Sequence, residues 1–301
     1  MKYITIAVIA LVIAGAGLAQ NQEEAVMEGV AGYDFIIADV DAHEVVRYTR
    51  KGERLWVYGG VRAIDAWLLP DGEFLIAYLP SEKTAGKGGV RIVGKDKKII
   101  MDHPVDDEVM SALVLPNGNI LFTECGAGRL TELDRAGKVI RSFDVKAKGM
   151  GHKTVRLIRM TPENTILAAE CYSHILREYS LEGRFIREFP LTMAYCGYRL
   201  DNGNTLISGY NPPCVMEVDA DQKVVWELTA KDLPEDMGLV NFCEVHRLPD
   251  GNTLVSNCIR RSVEQKAVLF EVTPEKKVIW QLRDSMRVKG VTAVKPLLNS
   301  K

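Results

Sequence analysis

Short apolar runs alternate with compact polar turns along nearly the whole chain, and the alternation repeats as a unit. Five related phrases mark it: Leu69-Pro70-Asp71-Gly72, Leu115-Pro116-Asn117-Gly118, Thr161-Pro162-Glu163-Asn164, Leu200-Asp201-Asn202-Gly203 and Leu248-Pro249-Asp250-Gly251. Each leads at once into an apolar run, as in Asn252-Thr253-Leu254-Val255-Ser256. Proline presets φ for the turn, and Asp-Gly or Asn-Gly supplies the left-handed positions of a tight hairpin. A second turn follows in every unit, for example Arg50-Lys51-Gly52-Glu53, Arg135-Ala136-Gly137-Lys138 and Leu181-Glu182-Gly183-Arg184, and it leads into another β-branched or aromatic run. Each unit therefore predicts four strands, A to D.

In the last full unit these are Cys243 to Leu248, Thr253 to Cys258, Val268 to Val272 and Val278 to Leu282. The remaining B strands are predicted at Phe35 to Asp39, Glu73 to Ala77, Ile120 to Glu124, Ile166 to Glu170 and Thr205 to Gly209. No A strand precedes Phe35, whereas the stretch from Gly290 to Pro296 is A-like and has no B strand after it. The two ends are expected to complete one blade. A period of roughly 40 to 50 residues is that of a propeller blade, not of a helical solenoid unit. The predicted fold is all-β, a six-bladed β-propeller closed by pairing the C-terminal strand with the N-terminal blade, which removes an exposed strand edge. No helical period of useful length follows residue 31. Segments 146–153 and 229–238 are expected to be loops between blades, and no linker divides 20–301, which is predicted to be one domain.

The first residues follow a different pattern. Lys2 precedes an apolar run from Ile4 to Leu18, and Gly17-Leu18-Ala19 places small residues before Gln20, so 1–19 is expected to be a secretory signal peptide. The mature chain would be periplasmic or secreted, with no membrane span after signal removal. Charge adds little, since 38 basic against 40 acidic residues give a net charge of −2, and no basic stripe suggests nucleic acid as a partner.

The repeat register assigns reactive residues to faces. Connections from D to A and from B to C share one face, and the A-to-B and C-to-D turns share the other. All six Cys residues map to the first face, as do His43, His103, His152 and His174, with His246 inside an A strand. The turn face carries no Cys or His and is expected to be mainly structural. A protein, small-molecule or glycan ligand is thus expected on the Cys/His-bearing face. Register also sets Cys243 across from Cys258, a possible disulfide, with inert disulfides and buried thiols as the plainer account of the cysteines.

Two catalytic ideas arise from the residues. Asp39, Tyr78, Glu124, Glu170, Gly209 and Asn257 share one register position near the end of successive B strands, and the oxygen ligands of Asp39, Glu124, Glu170 and Asn257, converging on the channel, would hold Ca²⁺ for ester or lactone hydrolysis. Hydrogen bonding to backbone or channel water is the alternative. His152 and His246, with Arg156 nearby, suit transfer of a sulfuryl or similar group from an anionic ester. Against that, His246 occupies a site held by Trp67, Leu113, Arg159 and Tyr198 in other units, which suggests packing between blades.

The blocks Val215-Met216-Glu217-Val218-Asp219 through Lys223-Val224-Val225-Trp226-Glu227, and Leu269-Phe270-Glu271-Val272 through Lys277-Val278-Ile279-Trp280, resemble repeats of PQQ-like bacterial propellers. The phrase from Val245 to Leu254 is similar to repeats of arylsulfotransferase-type propellers. The resemblance implies the fold over nearly all of the mature chain. Family members bind the quinone, transfer sulfate through His, or bind other proteins without catalysis. The chain lacks the adjacent Cys pair that can sit under a quinone and a set of several channel His residues with Arg. The calcium idea resembles the gluconolactonase and regucalcin propellers. A non-catalytic binding module is the leading expectation, with a metal-dependent hydrolase or His-dependent transferase as alternatives.

Overall fold

Each repeated phrase closes the same turn. The N–H of its first residue donates to the carbonyl just beyond the turn, as Leu69 to Glu73, Leu115 to Asn119, Thr161 to Thr165, Leu200 to Asn204 and Leu248 to Asn252, all at 2.8–2.9 Å. The residue needing positive φ is Gly72, Gly118, Gly203 or Gly251, and in the divergent copy Asn164 at φ 58°. Asparagine can take this place because its short polar side chain tolerates the left-handed region.

The structure is a computed structural model that describes residues 26–146, 152, 154–259, 266–283 and 288–298. The predicted signal peptide lies outside the described residues, as does most of the predicted loop 146–153. Six antiparallel sheets form the ring. The first blade joins β25 (Val291–Leu297) to β2 (Asp34–Asp39), β3 (Glu44–Tyr48) and β4 (Arg54–Gly59). The second runs β5 (Arg62–Leu68), β6 (Phe74–Leu79), β7 (Gly88–Val93), β8 (Ile99–Val105), and the third β9 (Ala112–Val114), β10 (Ile120–Glu124), β11 (Arg129–Leu133), β12 (Val139–Asp144). The fourth runs β13 (Ile158–Met160), β14 (Ile166–Glu170), β15 (Ile175–Tyr179), β16 (Phe185–Pro190), and the fifth β17 (Ala194–Arg199), β18 (Thr205–Gly209), β19 (Cys214–Val218), β20 (Val224–Thr229). The sixth is β21 (Phe242–Arg247), β22 (Thr253–Asn257), β23 (Ala267–Val272), β24 (Val278–Arg283), and β1 (Val26–Glu28) adds a fifth strand along β24. Closure is as expected, with Phe35 opposite Pro296 and Ile37 opposite Val294.

Three details differ from the sequence reading. β1 was not foreseen, because three residues carry no repeat phrase. Segment 229–238 holds two short 3-10 turns, Ala230–Asp232 and Glu235–Met237. His103 lies within β8, where it pairs with Val90, and not in a loop between blades.

Every pair of adjacent blades shares its own apolar cluster. Leu113 and Leu121 of the third blade meet Ile158 and Tyr179 of the fourth, and Leu254 and Trp280 of the sixth meet Phe35 and Val294 of the first. Outer-strand tryptophans help: the Trp56 ring stacks on Phe74 of the next blade at 3.7 Å, and Trp226 donates to the Pro274 carbonyl at 2.8 Å. On the turn face, buried C-strand glutamates clamp the turns. Glu132 accepts from Asn117 and Asn119, Glu217 from Asn202 and Asn204, and Glu271 from Asn252. Those acids have local structural partners, in keeping with a face built for folding.

Candidate functional site

The six inner strands line the channel, and counting back from each turn phrase sorts their side chains into layers. Two positions before the phrase stand Trp67, Leu113, Arg159, Tyr198 and His246, with Lys295 as the counterpart on β25. Four positions before stand Asp65, Ser111, Leu157, Cys196 and Glu244, and five before stand Ile64, Met110, Arg156, Tyr195 and Cys243, with Thr292 as counterpart.

The first two layers interlock in a buried charge network. Arg159 reaches Asp65 at 2.8 Å and Glu244 at 2.6 Å, while Lys295 reaches Asp65 at 2.9 Å and Glu244 at 2.6 Å. Ser111 donates to Asp65 at 2.5 Å and Tyr198 to Glu244 at 2.5 Å. One polar side chain from each of the six blades takes part, and the two cations balance the two carboxylates. Burial alone would raise Glu244, but Arg159 and Lys295 outweigh it and hold the carboxyl well below its ordinary range. Burial works against the Arg159 cation too, and Asp65 and Glu244 more than offset it. His246 joins this layer. Its Nε2 is 2.7 Å from the Val294 carbonyl and its ring lies 4.6 Å from that of Tyr198. Beyond it, Trp67, Leu113, Met160 and Tyr198 line an apolar cavity of about 340 Å³ on the turn face.

The third layer forms the mouth on the Cys/His-bearing face. β-Bulges place an extra residue at Ile64, Tyr195 and Thr292, since Ala63 and Asp65 face Tyr78 and Ala77, Ala194 and Cys196 face Gly209 and Ser208, and Val291 and Ala293 face Asp39 and Ala38. A bulge re-aims its extra side chain, and all three line a recess with Arg156, His152 and Tyr210. Its volume is about 30 Å³. Arg156 is 5% exposed, lies 5.4 Å from the Tyr195 ring centre, and points Nη1 at Met110 Sδ (3.6 Å) and His152 Nε2 (3.4 Å). Glu108 Oε2 is 2.6 Å from His152 Nδ1. That hydrogen bond, more than its burial opposes, keeps the Glu108 carboxyl below its ordinary value.

His152 and Arg156 are thus brought together, and His246 stands apart from them in the charge layer. The four residues of the calcium idea are not brought together. Glu124 pairs with Arg129 at 2.8 Å and with Thr131, Glu170 with Arg177 and Tyr179, and Asn257 Oδ1 accepts from the N–H groups of Val240 and Asn241 at 3.0 and 3.2 Å. Asp39 accepts backbone N–H groups from Asp41, Ala42 and Lys289 at 3.1, 2.9 and 2.7 Å. B strands are second from the axis, so equal register along them does not bring side chains to one point. Among the described residues no group of three or more His, Cys, Asp or Glu side chains is arranged to hold a metal ion.

All six cysteines are free thiols. Phe242 pairs with Asn257 and Val245 with Val255, so Cys243 sits in a bulge and not directly opposite Cys258, and burial, with the Cys258 thiol nearby, pushes the Cys243 thiol well above its ordinary value. Burial pushes the thiols of Cys125 and Cys196 up to about 12, which makes them poor nucleophiles.

Asp39 yields a pH prediction. Burial raises its carboxyl to about 6 in spite of the three N–H donors. A folded-state value above the unfolded one means that its stabilising share is full below about pH 4 and is lost as pH rises through about 6. The urea midpoint of the wild type relative to Asp39→Asn is therefore expected to fall between about pH 4 and pH 7. A difference that stays constant or grows would contradict this.

Several solved structures share the fold. A protein of unknown function from Bacteroides caccae is similar with a TM-score of 0.75 and 19% identity, covering 88% of this chain and 98% of that one. Virginiamycin B lyase from Staphylococcus aureus, in a catalytically inactive form with quinupristin, matches with a TM-score of 0.60 and 12% identity over 87% of this chain and 100% of that one. The WD40 β-propeller domain of Doa1 matches with a TM-score of 0.55 and 12% identity over 87% of this chain and 79% of that one. At such identities the likeness is one of fold. No protein-family model matches the chain, and no curated protein matches it.

Proposed function

We propose that this chain is an exported ligand-binding propeller that works through the channel mouth on its Cys/His-bearing face. The observation that carries the reading is the convergence in one recess of His152, Arg156, Tyr195, Tyr210 and Cys258, drawn from three blades: the connection before β13, the inner strand β17, and the connections that follow the second strands β18 and β22. Side chains far apart in sequence meet there around a polar centre, whereas the turn face spends its acids on clamping turns. Repeat phrases like those of PQQ-like and arylsulfotransferase-type propellers support kinship at the level of the repeat. The staphylococcal lyase with quinupristin supports the idea that a propeller of this shape takes a small molecule. Among the described residues no helix is long and apolar enough to cross a membrane.

The test is methyl-labelled NMR with a library of organic acids, peptides and sugars. Binding at the proposed face shifts signals of Val40, Ile64 and Leu79, which line the recess, and leaves Leu113 and Val114 at the opposite cavity unchanged. A library whose hits perturb only Leu113 and Val114 would move the binding function to the turn face and sink the reading.

A further inference from the structure

We propose that the mouth recess is a carboxylate-binding site with Arg156 as its anchor. The inference rests on the reading of the Cys/His-bearing face as the binding face and names the chemistry it recognises. The two channel arginines are built differently. Arg159 meets Asp65 and Glu244, and every one of its nitrogens has a partner. Arg156 is the only ionic member of its layer, whose other members are Thr292, Ile64, Met110, Tyr195 and Cys243. Among the described residues no carboxylate lies within 4.0 Å of it in an ion pair, although it is 5% exposed, and its Nε has no hydrogen-bond partner. Glu108, the acid on the neighbouring loop, is engaged by His152.

A buried guanidinium without a counter-ion is costly, and an anion supplied from outside relieves it. The Tyr195 ring, the Met110 sulfur and His152 Nε2 meet part of the charge but neutralise none of it. Size selects the anion. About 30 Å³ is room for roughly two water-sized groups, which suits the two oxygens of a carboxylate and leaves the rest of the ligand outside. The guanidinium fork grips carboxylate and phosphate oxygens alike, so it is the small recess that favours a flat two-oxygen carboxylate over a tetrahedral oxyanion of three exposed oxygens. The carboxylate comes either from a small free acid or from the C-terminus of a peptide.

Thermal unfolding of the full chain, at constant ionic strength, tests this with three probes: acetate, N-acetylglycylglycine and the amide of that peptide. Wild type is expected to melt higher with rising acetate or peptide acid and to ignore the amide. A response to acetate as strong as to the peptide acid identifies a small acid as the ligand type, and a response to the peptide acid alone identifies a chain terminus. Arg156→Met is expected to melt above wild type without carboxylate, because a buried unneutralised charge is gone, and to bind the acid at least about tenfold more weakly. Arg156→Lys keeps the charge without the planar fork and is expected to respond in between. Equal carboxylate responses in wild type and Arg156→Met, or an Arg156→Met protein less stable than wild type, would overturn the proposal. If Ile64 and Leu79 methyl signals respond to a neutral ligand while carboxylates do nothing, only the carboxylate chemistry fails and the binding face stands. If those signals respond to nothing in the library, both fail.

Discussion

Lys295→Met is expected to cost about 3–5 kcal/mol of unfolding free energy, a large part of the roughly 5–15 kcal/mol that a domain of this kind possesses. Lys295 is on β25, the strand that closes the ring, and its ammonium bridges Asp65 of the next blade and Glu244 of the preceding one. Removing it leaves two buried carboxylates facing the single cation of Arg159. The cost comes from the stranded charge, so neutralising an acid as well recovers part of it. The double variant Lys295→Met, Asp65→Asn is expected to be more stable than the sum of the single variants by about 1–3 kcal/mol. Urea titration of the four proteins measures that cycle. The closing strand keeps other ties, including Thr292 Oγ1 donating to the Ile64 carbonyl at 2.8 Å and the His246 contact with the Val294 carbonyl, so the single variant is expected to fold. Additive single-variant costs would show that the network does not act as one unit.

The second large effect is steric. A Cβ placed on Gly88 would lie 2.2 Å from the Asp107 carbonyl oxygen and 3.2 Å from both the Tyr78 carbonyl oxygen and the Val109 nitrogen, all of them main-chain atoms. Main chain yields far less readily than the end of a side chain, so Gly88→Ala is expected to destabilise by about 3 kcal/mol, at the upper end of ordinary overpacking costs. The displaced loop carries Glu108 and so disturbs the 2.6 Å contact with His152 at the mouth. Gly72→Ala is the control: its φ is +84° and nothing lies within 4 Å of the added Cβ, so only left-handed strain of about 1–2 kcal/mol is expected. Urea midpoints of both variants, with the His152 ring signals followed by NMR, check the pair. A Gly88→Ala protein no less stable than Gly72→Ala, with unmoved His152 signals, would show that the loop yields freely.

The architecture was legible because its determinants are local. Proline, Asp-Gly and Asn-Gly turns act over four residues, and their recurrence gave the four strands of each blade, the blade count and the closing role of the C-terminal strand. The B strand Ile166–Glu170 and the outer strand that carries Trp280 followed from the same spacing. His152 and Arg156 were legible for a similar reason: both fall in the connection between one blade's last strand and the next blade's first, and such connections share a face.

The charge network was missed, although a signal was present. Asp65 and Glu244 stand four positions, and Arg159 two, before their turn phrases, yet the A-strand position of Arg159 and His246 pointed to packing between blades, and the carboxylates that suggested a site were those of the B strands, where Asp39, Glu124, Glu170 and Asn257 align in sequence without meeting in space. Polar partners in such a ring are contributed one per blade, and no short window of sequence contains more than one or two. By itself the sequence determined that short strands would stack into a closed six-bladed ring, because turn chemistry and period-two burial act between near neighbours. Tertiary structure alone decided which side chains face the axis, because the bulges at Ile64, Tyr195 and Thr292 shift the inner strands by one residue and a one-residue shift exchanges the face that every later side chain occupies. It also decided that, among the described residues, Arg159 meets two carboxylates and Arg156 none, since that depends on which carboxylates the other five blades bring to each level of the channel.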